Sequence, residues 1–145
     1  MASALTMSKE KREAFLADLH VGVLSVASPG GGAPLSAPVW YRYEPGGDVV
    51  VSTGADSAKH RALAAAGRAS FCVQREDLPY AFVTVEGAVT IDGHDEEERA
   101  RLAHRYLGEE LAASYLAATK DEKMVTVRLT PDRWRTQDYS QVELD

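Results

Sequence analysis

The chain has 145 residues, 45% hydrophobic and 26% charged, with a net charge of −6. That is enough for one domain, residues 1–145, with a real core, and the missing basic stripe argues against a nucleic-acid binder. The single cysteine, Cys72, excludes an internal disulfide and a cysteine-based zinc site, no stretch approaches the roughly 18 apolar residues of a membrane span, and the cytoplasm is the expected compartment.

Residues 1–7, "MASALTM", read as a frayed leader. Ser8 caps a short amphipathic helix running to about Leu19, with Phe15, Leu16 and Leu19 on one face. Strands follow at Val21–Ala27 and Pro34–Tyr43, separated by a Pro-Gly-Gly-Gly turn, and a third at Val49–Thr53 after "EPGGD". Both turns are strong hairpin punctuation, so the three strands are predicted to form an antiparallel meander. Pro38 lacks an N–H and belongs at an edge or bulge.

A helix over Ala58–Ala66 comes next, with Ser57 as N-cap and Gly67 as its stop. Strands at Ala69–Gln74 and Tyr80–Ile91 flank the turn "REDLP"; Cys72 is read as a buried core residue, and Gly87 as a bulge or close backbone approach. "HDEEERARLAHRYLGEELAASYLAAT" reads as a helix with acids crowding its start, Ala103, Tyr106, Leu107, Leu111 and Tyr115 on one apolar side, and Gly108 as a break. Met124–Thr130 is the last clear strand, and "RWRTQD" a short continuation. Six or seven antiparallel strands with two or three peripheral helices predict a mainly β fold, a small barrel.

The chemistry concentrates in "STGADSAKHRALAAAGR", Ser52 to Arg68. The first turn of its helix carries Lys59, His60 and Arg61, where the dipole favours acids. Free N–H groups, dipole and side-chain charge together make an anion site, to which Thr53 and Ser57 can add hydrogen bonds. The competing reading is an exposed helix face, with Lys59 and Arg61 solvated or paired with Asp56. No nucleophile–base pair stands out, and His20, His94 and His104 show no metal spacing, so no catalytic residue and no metal site are assigned.

The order and spacing of "PVWY", "VVVST…SAKHRAL", "GRASFCVQ" and "PYAFVTVEGAVTI" resemble the pyridoxamine 5′-phosphate oxidase-like split β-barrel family, and its small actinobacterial branch in particular. The resemblance implies a homodimer with a cofactor, FMN or coenzyme F420 (a deazaflavin), in each of two grooves between subunits. It places Thr53, Ser57 and Lys59 on the cofactor phosphate, with Ser52 and Arg61 among the other cofactor-binding residues, Ser36, Pro38 and Trp40 along the ring, and Tyr80 and Phe82 in the following wall. The deazaflavin's longer anionic tail would need further cations, such as Arg42, Arg61 or Lys123. Ala58 stands where true pyridoxamine-phosphate oxidases carry an arginine, and their C-terminal tryptophan and arginine motif is not recognisable around Trp134 and Arg135. The implied activity is therefore hydride transfer between cofactor and a small organic substrate, and not oxidation of pyridoxamine phosphate. A non-catalytic FMN or phosphate-ligand binder, and a haem-binding barrel using His20 or His60, stand as alternatives.

Overall fold

The computed structural model describes residues 3–142. Its elements are α1 (Lys9–Ala17), β1 (Gly22–Val26), β2 (Leu35–Val39), β3 (Val49–Gly54), α2 (Ala58–Ala66), β4 (Arg68–Arg75), β5 (Ala81–Asp92), α3 (Glu96–Ala118), β6 (Met124–Asp138) and a 3-10 turn at Tyr139–Gln141. The six strands form one curled antiparallel sheet in the order β2-β1-β4-β5-β6-β3. The expected mainly β, antiparallel fold is found, with six strands curled into a half-barrel and three helices.

The meander is only half realised. β1 and β2 pair from Gly22↔Val39 to Val26↔Leu35, but β3 pairs with β6. The chain leaves the sheet after Val39, and all that remains of the expected second hairpin is one bridge between Arg42 and Val50, with N···O distances of 3.0 and 2.9 Å. The length of β6 decides this: it pairs with β5 along most of its length while its first half also takes β3. "RWRTQD" is accordingly the second half of one 15-residue strand. The two halves are joined at a bulge, where Gly87 faces Pro131, Glu86 faces Arg133, and Asp132 is the extra residue. Both readings of Gly87 hold, since an added Cβ there would overlap the Thr130 carbonyl oxygen.

The core lies inside the curl, where Leu16, Tyr41, Leu63, Phe71, Val83 and Val85 are all fully buried. Tyr41 ties α1 to it, donating to the carbonyl oxygens of Leu16 (2.5 Å) and Asp18 (3.1 Å). Burial first, and the neighbouring Tyr106 second, push its pKa well above the ordinary 10.0. α1 stops at Ala17, because Asp18 turns extended, which leaves Leu19 exposed and not on the apolar face. The N-terminal segment is tied down from Leu5 on: Asp138 N–H donates to the Leu5 carbonyl (2.8 Å), Met7 N–H donates to Thr136 Oγ1 (2.9 Å), and the Met7 side chain is buried. Residues 1 and 2 lie outside the described residues.

Strand alternation sends the other side chains outward. Pro38, Val23, Cys72, Thr84 and Arg135 form one cross-strand row on the outer face. Cys72 is therefore half-buried on that face, while Phe71 and Val73 take the inward positions. Pro38 sits on an edge strand, as its missing N–H requires.

α3 is a helical hairpin. Gly108 has φ 78° and ψ 178°, a region essentially closed to residues with a Cβ. A straight helix would hold Arg99 and Thr119 about 30 Å apart, yet the Arg99 guanidinium donates to the Thr119 carbonyl at 2.9 Å. The chain therefore doubles back at Gly108, and Leu111, expected on the apolar side, is 63% exposed on the returning arm.

Candidate functional site

The site grows from the β3–α2 turn. Ser57 caps α2, its Oγ accepting from His60 N–H (3.1 Å) and donating to the Gly54 carbonyl (2.7 Å). Its hydroxyl is thus spent on the fold. Ala55 N–H donates to the Lys123 carbonyl (2.8 Å), which pins the turn to the residue before β6. The N–H groups of Ala58 and Lys59 find no acceptor among the described residues and are left for a ligand.

The three first-turn basic residues go three ways. His60 folds back, Nδ1 lying 2.6 Å from the Ala55 carbonyl oxygen; since a carbonyl only accepts, Nδ1 carries the proton. Arg61 is exposed and donates to the Asp56 carbonyl (2.8 Å). Lys59 alone reaches into a cleft of about 390 Å³, and no acid pairs with it among the described residues.

One wall of that cleft is Val21 with Pro38, Val39 and Trp40; its floor holds Ser52 and Met124; α3 supplies Arg99, Leu102 and Tyr115. Trp40 is held by aromatic contacts, stacked on Tyr106 (5.2 Å, 7°) and tilted against Tyr115 (5.4 Å, 58°). Tyr106 is fixed in turn, donating to the carbonyls of His20 (2.5 Å) and Tyr41 (3.2 Å) and accepting from Tyr41 N–H (3.1 Å). A rigid aromatic wall facing a lysine at a helix start fits a planar ring that carries an anion.

Of the residues the sequence put around the ligand, Pro38, Trp40, Ser52 and Lys59 converge on this cleft. Thr53 does not: it is 3% exposed on the inward side with Val49 and Val51. Ser36 is exposed and paired with Ser25 Oγ (2.9 Å), away from the cleft. Tyr80 stands exposed before β5, and Phe82 shares the outer face with Thr84; neither lines the cleft within one chain.

The extra cations also fall elsewhere. Arg42 is bound through Nε and Nη2 to the buried Glu98 carboxylate, which holds its pKa above the usual value against the opposing effect of burial. Lys123 is exposed and off the cleft. Sequence reasoning missed Arg99, the cation that does line it. The available signal was its spacing, one turn before Leu102 and Ala103 on the buried side of α3.

Other groups are accounted for locally. Glu86 pairs with Arg135 (3.3 Å) and Arg133 (3.8 Å), while Arg68 forks onto Asp132 (2.9 and 3.0 Å). Trp134 lies under the Arg12 guanidinium, 4.6 Å from ring centroid to carbon. His20 Nε2 is 3.0 Å from the Phe15 carbonyl oxygen, so His20 and His60 each spend a ring nitrogen on the main chain. No group of three or more potential metal ligands occurs among the described residues, and no helix there is long and apolar enough to cross a membrane.

The same architecture is found in solved structures. The conserved hypothetical protein Rv2991 from Mycobacterium tuberculosis superposes with a TM-score of 0.80 at 24% identity, over 99% of this chain and 92% of that one. An F420 reductase does so at 0.65 and 20%, over 85% and 94%. A FAD-binding protein from Mesorhizobium loti does so at 0.66 and 16%, over 91% and 95%. At these identities the likeness is one of fold. No curated protein sequence matches the chain. The family model for pyridoxamine 5′-phosphate oxidase matches residues 8–138, every element from α1 to the end of β6, and the chain belongs to that family.

Proposed function

We propose that the protein is a flavin- or deazaflavin-dependent oxidoreductase that binds FMN or coenzyme F420 in the Trp40–Lys59 cleft. The observation that carries this is Lys59: without an acid partner among the described residues, at the start of α2, in a cleft lined by aromatic rings and by no acid. Support also comes from the family, and from a fold shared with an F420 reductase and a FAD-binding protein. When bound, the cofactor supplies the hydride chemistry.

The chain's own residues bind and orient. Lys59 and the free N–H groups of Ala58 and Lys59 hold the phosphate; Trp40 and Pro38 hold the ring. β2 is an edge strand, so one row of its backbone groups is unclaimed by the sheet and would be available to hydrogen-bond the ring. Leu102 and Met124 exclude water from the apolar side. The Tyr115 hydroxyl has no partner among the described residues and is placed to hydrogen-bond a substrate stacked on the ring.

The second wall comes from another copy of the chain. Tyr80 and Phe82 belong to the ring-facing set by family resemblance but lie on the outer face, which also exposes Val21 (56%) and Val23 (40%). Pairing two such faces would cover this apolar surface.

The test is the visible spectrum of protein titrated with FMN and with coenzyme F420, alongside sedimentation of the free protein. Saturable binding of one of them by a dimer is expected. A monomer that binds at full affinity rules out the shared groove, and binding of neither cofactor rules out the reading itself.

A further inference from the structure

Arg99 occupies a position where an amphipathic helix places an apolar side chain, and its side chain is 5% exposed. Burying a guanidinium is costly unless its donors are satisfied. Nη1 reaches Glu96 (3.0 Å), itself a 61% exposed residue, and Nη2 reaches the carbonyl and hydroxyl of Thr119. These contacts staple the two arms of the α3 hairpin. They leave the Nε–H without an acceptor among the described residues. Arg99 also lines the cleft, its guanidinium carbon 5.8 Å from the Tyr115 ring centroid.

The balance of charge in the cleft points the same way. Its lining contains two cations, Lys59 on α2 and Arg99 on α3, and no carboxylate, although the whole chain carries a net charge of −6. A staple alone needs no access to a cleft, and a solvated cation needs no burial.

We propose that Arg99 is the second anion-binding residue of the cleft, held rigidly by the Thr119 staple. The molecule accepted there presents anionic oxygen to α3 as well as to α2. Its class is a phosphorylated planar ring compound whose charge is gripped from two walls, a lysine at a helix start and a guanidinium whose Nε–H the staple leaves free. This rests on the cleft assignment made above, and deepens it.

The test uses the full chain and the variants Arg99→Gln, Arg99→Lys and, as a positive control, Lys59→Gln. Each is titrated with FMN and riboflavin, and with coenzyme F420 and its phosphate-free ring–ribityl precursor. Inorganic pyrophosphate, followed by thermal shift, serves as a ring-free probe. Arg99→Gln is expected to weaken the phosphorylated ligand roughly 10- to 150-fold, the range of a charge-assisted contact, and the phosphate-free one less than about threefold. Arg99→Lys should recover part of the loss, and Arg99→Gln should lose most of the pyrophosphate stabilisation. Equal weakening of phosphorylated and phosphate-free ligands would reduce Arg99 to a staple and overturn the proposal. So would wild-type affinity in Arg99→Gln while Lys59→Gln is weakened. Wild-type protein that is stabilised by pyrophosphate but binds no ring ligand would sink the cofactor reading alone, since Arg99→Gln still decides the anion site. Wild-type protein that binds none of the probes sinks both.

Discussion

Lys59→Ala sets two effects against each other, and the structure fixes the sign of each. In the empty protein Lys59 faces the positive end of α2 and has no acid partner among the described residues. Its removal relieves a repulsion of about 0.3–1 kcal/mol, so the apo variant should melt at or slightly above the wild-type temperature. In the loaded protein a charge-assisted contact is lost, on the order of 1.5–3 kcal/mol or roughly 10- to 150-fold in affinity. At a ligand concentration near 100 times the wild-type Kd, binding stabilises wild type by about 2.7 kcal/mol; at tenfold weaker affinity this falls to about 1.4. The ligand-induced shift in Tm should therefore shrink by roughly half or more, while the apo melt stays put or rises. Arg61→Ala is the internal control: same charge, two residues on, but exposed and turned to the Asp56 carbonyl. Paired melts with and without cofactor, plus a titration, read both effects at once. Equal affinities for Lys59→Ala and wild type, or equal losses for Lys59→Ala and Arg61→Ala, would return this turn to an ordinary solvated helix face.

Three other substitutions probe the frame around the cleft. Trp40→Ala removes the ring wall and two aromatic contacts worth about 0.5–1.5 kcal/mol each. Cofactor binding should weaken with folding largely retained, and a loss beyond about 4 kcal/mol in a denaturant melt would mark Trp40 as core. Gly108→Ala forces a side chain into a backbone conformation at φ 78°, ψ 178°, at a cost of about 1–3 kcal/mol. It should loosen the hairpin and weaken ligand binding, and an unchanged melt would refute the strain. For Tyr41 the folded pKa is raised above the unfolded 10.0 by burial, so its stabilising share is complete below that pH and is lost as pH rises past it. Wild-type Tm should fall more steeply above pH 10 than that of Tyr41→Phe; parallel alkaline profiles would count against this.

What was legible in the sequence was whatever local chemistry fixes. Ser57 and Gly67 bracket α2 at the expected residues because a cap hydroxyl and a left-handed glycine act within one turn. Gly87 and Gly108 were readable for the same reason. The partner of β3 was not, because the "EPGGD" turn does reverse the chain but a strand far along the sequence, β6, takes the pairing. Within the site, the alternation of Val49, Val51 and Thr53 already pointed Thr53 inward, and the cap role of Ser57 already used its hydroxyl; a ligand was assigned groups the fold had claimed. Arg99 was overlooked because a cation on a helix reads as solvated until the returning arm of the hairpin is seen to bury it.

The pairing of β3 with β6 also governs when the ligand can matter during folding. Its contacts run from Gly54↔Met124 to Val49↔Leu129, about 70 to 80 residues apart, and the β3–α2 turn is itself held by the Lys123 carbonyl. Contacts so distant in sequence carry a large loop-closure cost and form late. A growing chain that has made α2 and even α3 still has no strand to hold β3 in register, so the amide groups that would meet a phosphate are not yet aligned. Ligand thus has nothing to bind before β3 and β6 pair, and cannot act as a template for that step. Refolding rates should be indifferent to cofactor, and its whole stabilising effect should appear as slower unfolding.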